Sequence, residues 1–149
     1  MWTLQTEIEI GASADIVWEV LTNFPAYPAW NSFVPDISGE LEVGKYLNAY
    51  FQAPGGPGMR FRPRVLEVSP GRELRWLGQL LMVGLFDGEH RFAIEPLDPN
   101  RVRFLHEERL NGLLVPIVEK LFGRQTRNGF EAMNRGLKAR TEAIASHHG

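Results

Sequence analysis

The chain has 149 residues, with 18 acidic side chains, 16 basic side chains and no cysteine. This length suits one domain, residues 1–149, that buries about two thirds of its unfolded surface, and the lack of cysteine excludes disulfides, thiolate metal sites and a cysteine nucleophile. A formal net charge of −2 provides no overall field that would attract nucleic acid or an anionic membrane, so nucleic acid is not expected as a partner.

The first ten residues, MWTLQTEIEI, alternate between apolar and polar side chains. This alternation predicts a strand over residues 3–10, whereas a secretory signal would need a basic start and an apolar run. No window holds eighteen consecutive apolar residues, which is the length that a membrane-spanning helix needs. We therefore expect a cytoplasmic protein without stable membrane insertion.

A capped helix is predicted next, within residues 10–31, IGASADIVWEVLTNFPAYPAWN. Ser13 is a good N-cap, and apolar residues recur behind it at helical spacing. Pro25 and Pro28 prevent this helix from continuing, because proline lacks a backbone donor and clashes with the preceding turn. Two short helices are therefore expected before the second strand, followed by a cluster of aromatic residues.

Six further strand patterns follow, separated by turns that are rich in Gly, Pro, Asn and Asp. Connections this short cannot carry parallel crossovers, so we expect an antiparallel meander. The predicted strands cover residues 36–41, 46–53, 59–68, 73–81, 89–97 and 101–110. Over 113–147 the apolar pattern becomes helical, and this long helix is the only element able to cover a seven-stranded sheet.

Four segments are informative beyond their secondary structure. They are IVWEVLTNFPAYPAWNSFVPDISGEL, VLEVSPGRELRWLGQL, the His90-x-Phe92 pair and FLHEERLNG. With the order of elements, they resemble the SRPBCC superfamily of START, polyketide cyclase and birch-pollen-allergen-like proteins, and above all its small bacterial polyketide cyclase/dehydrase-like members. The resemblance covers essentially the whole chain. It implies an α+β helix-grip fold, with a curved antiparallel sheet around the last helix and an apolar cavity between them, but no single activity.

Period-two alternation assigns the inward faces of the last two strands. His106 and Glu108 share a face with the apolar residues of 101–110, and His90 does so in the strand before. Matching these faces across the hairpin leaves two registers, with His90 opposite either His106 or Glu108, and the three side chains converge in both. A carboxylate on an apolar face is costly unless paired, so Glu108 should bond a histidine, Trp76 or water, and a histidine partner would favour the imidazolium.

The cluster of His90, His106 and Glu108 has three interpretations. It is a buried polar group that satisfies itself and fixes the strand register, a group that orients a ligand, or a catalytic acid/base set. Two histidines and a carboxylate also occur as metal ligands, but short cross-strand spacing is weak evidence, and we expect no metal. The sequence contains no phosphate loop, Gly-x-Ser-x-Gly, HExxH or dinucleotide motif, so no cofactor is expected.

The meander places the loops at 54–58, 81–87 and 111–114 at one end of the sheet. These loops are glycine-rich or apolar, whereas those at the other end are compact and polar, which predicts the mouth of the cavity at the first end. The apolar tip at 81–86 would be an exposed patch if nothing covered it. It either packs on the last helix or forms a rim that contacts a ligand, a partner or a membrane.

Gly129 and Gly136 lie in the predicted last helix, where each costs about 1 kcal/mol relative to alanine. Close approach of the helix to a strand is one explanation, and room for a ligand is the other. Basic residues occur along the same helix and alternate in the strand at Arg60, Arg62 and Arg64. We interpret them as solvated faces rather than as a phosphate-binding track.

The sequence therefore predicts a protein that binds a hydrophobic or aromatic small molecule, lipid- or polyketide-like, in an internal cavity. The expected ligand-binding residues are Trp30, Phe61, Trp76, His90, Phe92, Phe104, His106, Glu108, Phe130 and Met133, with Trp18, Asn128 and Asn134 as further candidates. The alternative is a polyketide cyclase/dehydratase-type enzyme, in which a histidine moves a proton and Glu108 tunes it. A co-chaperone-like interaction domain is a third possibility, and it would need a broad surface patch.

Overall fold

The computed structural model describes residues 1–79 and 84–148. The chain begins with strand β1, Trp2–Ile10, and continues into helix α1, Ala14–Thr22. The Ser13 hydroxyl accepts a hydrogen bond from the backbone N–H of Ile16 at 3.3 Å. This is the predicted N-cap, and it satisfies one of the N–H groups that the first turn of a helix leaves without a partner.

The segment after α1 folds as its two prolines require. A 3₁₀ turn, Phe24–Ala26, leads into the short helix α2, Tyr27–Trp30. The buried Tyr27 hydroxyl donates to the backbone carbonyl of Leu21, and burial raises the pKa of Tyr27, so the hydroxyl keeps its proton. This bond ties α2 back to α1 and confirms the predicted pair of short helices.

The described chain contains eight strands, one more than the sequence predicts. The predicted strand at 59–68 is divided, because Pro63 has no backbone donor and interrupts the ladder. The strands after β1 are β2 Asp36–Ser38, β3 Asn48–Gln52, β4 Gly58–Phe61, β5 Arg64–Ser69, β6 Glu73–Gln79, β7 Asp87–Asp98 and β8 Arg101–Asn111.

The strands form two antiparallel sheets rather than one. The five-stranded sheet has the order β1-β8-β7-β6-β5, and the three-stranded sheet has the order β2-β3-β4. The sheets stay connected around the break, since Tyr46 bridges to Arg64 and the N–H of Leu47 donates to the carbonyl of Pro63 at 2.8 Å. The predicted α+β helix-grip architecture is confirmed, with its curved sheet divided at Pro63.

Helix α3, Val115–His148, packs mainly against β1 and also contacts β8 and α1. Its buried side chains include Phe130, Met133 and Leu137, which belong to the predicted apolar stripe. Helix α3 therefore covers the core, as expected from its length. None of the helices within residues 1–79 and 84–148 is both long enough and apolar enough to cross a membrane.

Gly129 and Gly136 allow a close approach to α3, but the predicted partner, a strand, is wrong. A Cβ at Gly129 would overlap the ring of Phe33, and a Cβ at Gly136 would overlap the backbone oxygen of Trp30. Both neighbours belong to α2 and the loop that follows it. Because Gly129 and Gly136 have no side chain, α2 and the loop after it can pack directly against α3.

The hairpin of β7 and β8 decides between the two registers that face matching allows. His90 lies opposite Glu108, and Phe92 lies opposite His106. His106 is therefore the diagonal neighbour of His90, on the same inward face. The three polar side chains converge as the alternation predicts.

The outer face of these strands carries ion pairs instead. Arg91 bonds Glu73 at 2.6 Å and Glu107 at 2.8 Å. Glu107 and Glu108 are neighbours in sequence but point to opposite faces, because successive strand residues alternate. Only Glu108 faces the interior, so its environment differs from that of the outer carboxylates.

Candidate functional site

A pocket of about 310 Å³ lies between the three-stranded sheet, strands β6 to β8 and the first turns of α3. This volume is near the lower end of the range for small-molecule sites, about 300–1,000 Å³. The lining reaches Gly56, Pro57 and Phe86, at the end where loop composition predicts the mouth. The Phe and Trp side chains on its walls are Phe33, Phe51, Phe61, Trp76, Phe86 and Phe122.

One wall is built from rings of the three-stranded sheet and the loop before it. Phe51 on β3 packs edge-on against Phe61 on β4, with ring centroids 5.4 Å apart, and against Phe33 at 5.6 Å. Asn31 positions this loop, because its side-chain oxygen accepts from the backbone N–H groups of Phe33 at 3.1 Å and of Val34 at 2.8 Å. The wall is thus a set of interlocked rings on a hydrogen-bonded support.

Two glycines on neighbouring strands leave space at the floor of the pocket. Gly78 on β6 pairs with Gly88 on β7, and both line the pocket. A Cβ at Gly88 would lie only 2.9 Å from Oε2 of Glu108, closer than real Cβ contacts come. The glycine at this position therefore leaves room for the carboxylate.

Glu108 reaches the pocket beside His90. Nδ1 of His90 lies 3.4 Å from Oε2 of Glu108, and the two side chains are 2% and 19% exposed. This distance is within ion-pair range but is longer than a good hydrogen bond. Of the partners that the sequence allows for Glu108, the structure selects a histidine, but the pair is loose.

His90 is linked in turn to His106, which lies deeper. Their Nε2 atoms are 2.6 Å apart, so one nitrogen donates and the other accepts. His106 is 0% exposed and stacks on Phe130, with ring centroids 4.0 Å apart and planes within 7°. A line of polar contacts therefore runs from the packed interior to the pocket wall.

Asn134 on α3 and Thr6 on β1 determine which nitrogen of His106 carries a proton. The Thr6 hydroxyl donates to the backbone carbonyl of His106 at 3.0 Å and accepts from the amide N–H of Asn134 at 2.9 Å. The Asn134 oxygen is then directed at Nδ1 of His106, 2.8 Å away, and accepts its proton. This network assigns the Nδ1–H tautomer to His106.

His106 is uncharged at neutral pH. Burial holds the pKa of His106 well below its ordinary value of 6.5, and a positive charge on the neighbouring His90 would lower it further. With a proton on Nδ1, the neutral ring has a lone pair on Nε2. His90 must therefore donate its own Nε2–H to His106, and the nitrogen left to face Glu108 is Nδ1 of His90.

The ring nitrogens of both histidines already face partners in the chain. The Nε2 atoms bond each other, while the Nδ1 atoms face Asn134 and Glu108. Among the described residues, no group of three His, Cys, Asp or Glu side chains is arranged to hold a metal ion. The cluster is thus a hydrogen-bonded chain in this conformation.

The residues that the sequence singles out fall into two groups. Those that line the pocket are Phe61, Trp76, His90 and Glu108. Those that are packed elsewhere and do not line the pocket are Trp18, Trp30, Phe92, Phe104, His106, Phe130 and Met133. Asn134 supports His106 from behind, and Asn128 is exposed. Of the three catalytic candidates, His106 is the one that connects to the pocket through another residue, His90.

Other pocket residues escape the sequence analysis although the chain contains a signal for them. Phe51 has the same strand phase as the buried Ala49, so alternation within β3 identifies its inward face. Gln125 follows Phe122 by three residues on the apolar side of α3, and its buried Oε1 has no hydrogen-bond partner in the described chain. A polar residue within an apolar stripe marks a wall that faces a polar group or a ligand.

The predicted apolar tip at 81–86 lies only partly within the described residues, since 81–83 fall outside them. The carbonyl of Leu85 accepts from the N–H of Leu114 at 2.9 Å, just before α3 begins. Phe86 lines the pocket. The end of this tip therefore lies beside the start of α3 and places one ring on the pocket, and its contact with a ligand, a partner or a membrane stays a prediction.

The sequence matches the family described as polyketide cyclase/dehydrase and lipid transport over residues 1–142. The chain belongs to this family. Membership of the polyketide cyclase/dehydrase and lipid transport family confirms the predicted resemblance to the SRPBCC superfamily. No curated protein matches this family member significantly in sequence.

Solved structures resemble this family member over nearly its whole length. A START superfamily protein from Mycobacterium smegmatis is 21% identical, with a TM-score of 0.73 and coverage of 95% of this chain and 98% of that chain. A hypothetical protein from Helicobacter pylori is 20% identical, with a TM-score of 0.77 and coverage of 94% and 88%. The Zhui aromatase/cyclase from Streptomyces sp. R1128 is 14% identical, with a TM-score of 0.71 and coverage of 95% and 93%. At these identities the likeness shows the fold alone.

Proposed function

We propose that the protein binds a hydrophobic or aromatic small molecule, of the lipid or polyketide kind, in the pocket. The observation that carries this proposal is an open space of about 310 Å³ walled by aromatic rings. Apolar surface left in contact with water is unfavourable, and a ligand that covers it gains roughly 25 cal/mol for each Å² removed from water. The family description, which names lipid transport beside cyclase chemistry, supports the same class of ligand.

Binding of a neutral, apolar fluorophore, N-phenyl-1-naphthylamine, tests this proposal. A Leu side chain at position 78 would fill the floor of the pocket, since Gly78 lines it and faces inward. We expect saturable enhancement of fluorescence with the wild-type protein and at least tenfold weaker binding to the Gly78→Leu variant. Native mass spectrometry of the purified protein should in addition detect a co-purifying apolar molecule.

The matched control is Gln79→Leu, which adds the same side chain at the next position of β6, on the exposed outer face. This variant should bind the fluorophore as the wild type does. Equal binding by Gly78→Leu and the wild type would show that the fluorophore occupies another surface. Absence of saturable binding by the wild type would overturn the proposed function.

A second candidate function is catalysis of the cyclase/dehydratase type. It is favoured by one observation, the contact of His90 with Glu108 on the pocket wall and with the neutral His106 behind it. A histidine that exchanges protons with a buried partner can act as a general acid or base toward a bound carbonyl compound. In this alternative His90 moves the proton, Glu108 orients it, and His106 accepts the hydrogen bond of the resting state.

Measurements of both binding and conversion distinguish ligand carriage from catalysis. A soluble aryl β-diketone with an appended carbonyl chain can lose one water on ring closure, which mass spectrometry and ultraviolet absorbance detect. In the enzyme case, His90→Gln should retain binding of this compound and lose its conversion. Binding without conversion by the wild-type protein would support carriage and contradict catalysis with this class of substrate.

A further inference from the structure

Among the described side chains that line the pocket, Glu108 is the one with a formal charge, and it is a hydrogen-bond acceptor. The other polar side chains on the lining are Trp76, His90, Gln125 and Thr126. The Thr126 hydroxyl donates to the carbonyl of Phe122 at 2.8 Å, within the helix, and the buried Oε1 of Gln125 accepts from no group in the described chain. The described lining holds no Lys or Arg, and residues 80–83 contain neither. An acidic ligand would therefore find no ammonium or guanidinium group here.

The hydrogen-bond chain adds another acceptor. His106 is neutral with its proton on Nδ1, so His90 donates from Nε2. When His90 is neutral as well, the lone pair of its Nδ1 faces Oε2 of Glu108, 3.4 Å away. Two acceptors that face each other repel unless a donor lies beside them, and buried polar atoms without partners are costly.

Aromatic rings flank this pair of acceptors. The rings of Trp76 and Phe51 lie near the His90 ring, with centroids 5.6 Å and 6.4 Å from it, and both residues line the pocket. The faces of such rings attract cations, most strongly where water is excluded. A carboxylate beside aromatic faces is a combination that suits a positively charged group.

We infer that the pocket selects an apolar ligand whose polar end is a protonated amine, bound between Glu108 and Nδ1 of His90. This inference rests on the proposed function and specifies its ligand. The ammonium group donates to Oε2 of Glu108 and to the lone pair that Nδ1 of a neutral His90 carries. Gly88 keeps the carboxylate in place, since a Cβ there would crowd Oε2.

Three ligands with the same ring test the inference: 2-naphthylmethylamine, 2-naphthylmethanol and 2-naphthoic acid. At pH 7 they are cationic, neutral and anionic, and each is measured by displacement of N-phenyl-1-naphthylamine. With the wild-type protein, the amine should displace the fluorophore at about tenfold lower concentration than the alcohol, and the acid should be the weakest. Glu108→Gln keeps the shape of the side chain and removes its charge, so the advantage of the amine should disappear while binding of the alcohol changes less than about threefold.

The control variant is Glu107→Gln, which removes a carboxylate from the outer face of the same strand. It should retain the preference for the amine. If the wild type binds the fluorophore but prefers the alcohol or the acid, the inference is overturned and the proposed function stands. If the wild-type protein does not bind the fluorophore at all, both the inference and the proposed function are overturned. Should Glu108→Gln not fold, as judged by circular dichroism, the order of the three ligands on the wild type still decides.

Discussion

The region around His106 and the region around His90 are one hydrogen bond apart, yet they are built differently. His106 lies among closely packed rings, with Phe130 stacked on it and Asn134 bonded to Nδ1. His90 lies at the boundary of open space, beside Gly88 and the carboxylate of Glu108, which is 3.4 Å from Nδ1 of His90. The same strand pattern thus produces a closed core region at one end and an open pocket region at the other.

Side-chain volume, rather than secondary structure, makes this difference. Strands β7 and β8 run through both regions, and their inward positions alternate regularly. In the core region those positions hold Phe92 and Phe104, which fill the space beneath the helix. In the pocket region Gly78 and Gly88 stand opposite each other and fill none. A pocket therefore arises where small residues meet on adjacent strands, even within a continuous sheet.

Removal of one ring from each region should show the largest contrast. Phe130→Ala deletes a fully buried ring that stacks on His106, so we expect a loss of about 3–5 kcal/mol in the free energy of unfolding. Phe61→Ala deletes a half-buried ring on the pocket wall, and the loss should stay below about 2 kcal/mol. Urea denaturation of both variants measures the difference. Equal losses would show that the pocket wall is packed as tightly as the core.

Addition of one methyl group tests the same contrast in the opposite direction. In Gly136→Ala the new Cβ would overlap the backbone oxygen of Trp30, which cannot move aside as a side chain can. We expect a net loss of about 1–3 kcal/mol, although alanine is the better helix former. In Gly78→Ala the nearest atom is 3.9 Å from the new Cβ, so stability should change by less than about 0.5 kcal/mol. A stabilised Gly136→Ala variant in thermal denaturation would contradict the close approach of α2 to α3.

The hydrogen bond between Nδ1 of His106 and Asn134 on α3 can be removed by substitution of Asn134. Asn134→Ala leaves the Nδ1–H of a fully buried imidazole without an acceptor, which should cost about 1–3 kcal/mol. Asn128→Ala is the matched control, because Asn128 is exposed on the same helix, and its effect should be below about 0.5 kcal/mol. Nitrogen NMR of the ring should also show that His106 loses its single tautomer in Asn134→Ala. An unchanged tautomer would mean that Asn134 does not assign it.

Acid should weaken the core region through His106. Its pKa is lowered in the folded state, so below pH 6.5 the unfolded chain binds a proton that the folded chain does not. The contribution of this residue is therefore fully present above pH 6.5 and is lost as the pH falls, by at most about 1.4 kcal/mol per pH unit. Urea denaturation at pH 7.5, 6.0 and 5.0 measures the slope. Protonation of the His106 ring at pH 6.5 in nitrogen NMR of the folded protein would contradict the assignment.

Strand faces and the hairpin register are the parts of the fold that sequence reasoning predicts best. Alternation places His90, His106 and Glu108 on one face, and matching across a short turn leaves two registers, of which the structure contains one. Local rules suffice here because each depends on near neighbours. The strand count differs by one because Pro63 lies in an otherwise continuous pattern, where its missing donor outweighs the apolar periodicity.

Alternation along a strand does not predict how deeply each inward-facing residue is buried. Phe92 and Phe61 carry the same ring and both face inward, but only Phe61 borders the pocket. Depth depends on where α3 and the loop with Phe33 press against the sheets, and those are contacts between residues far apart in sequence. The position of Gly136 against Trp30 is an example, since a glycine in a helix predicts a close neighbour without identifying it.

The break at Pro63 separates the residues that would limit the size of a ligand from those that would bind its polar end. Phe51 and Phe61 belong to the small sheet and line the pocket, so they would limit how bulky a bound ligand can be. Glu108 and His90 belong to the large sheet and would contact the polar end of the proposed ligand. Substitution of Phe61, which packs on Phe51, can therefore alter the size of the accepted molecule. Substitution of Phe51 would also change the surroundings of His90, because their ring centroids are 6.4 Å apart. For protein engineering, ligand size and charge preference can then be changed by separate substitutions, at Phe61 and at Glu108.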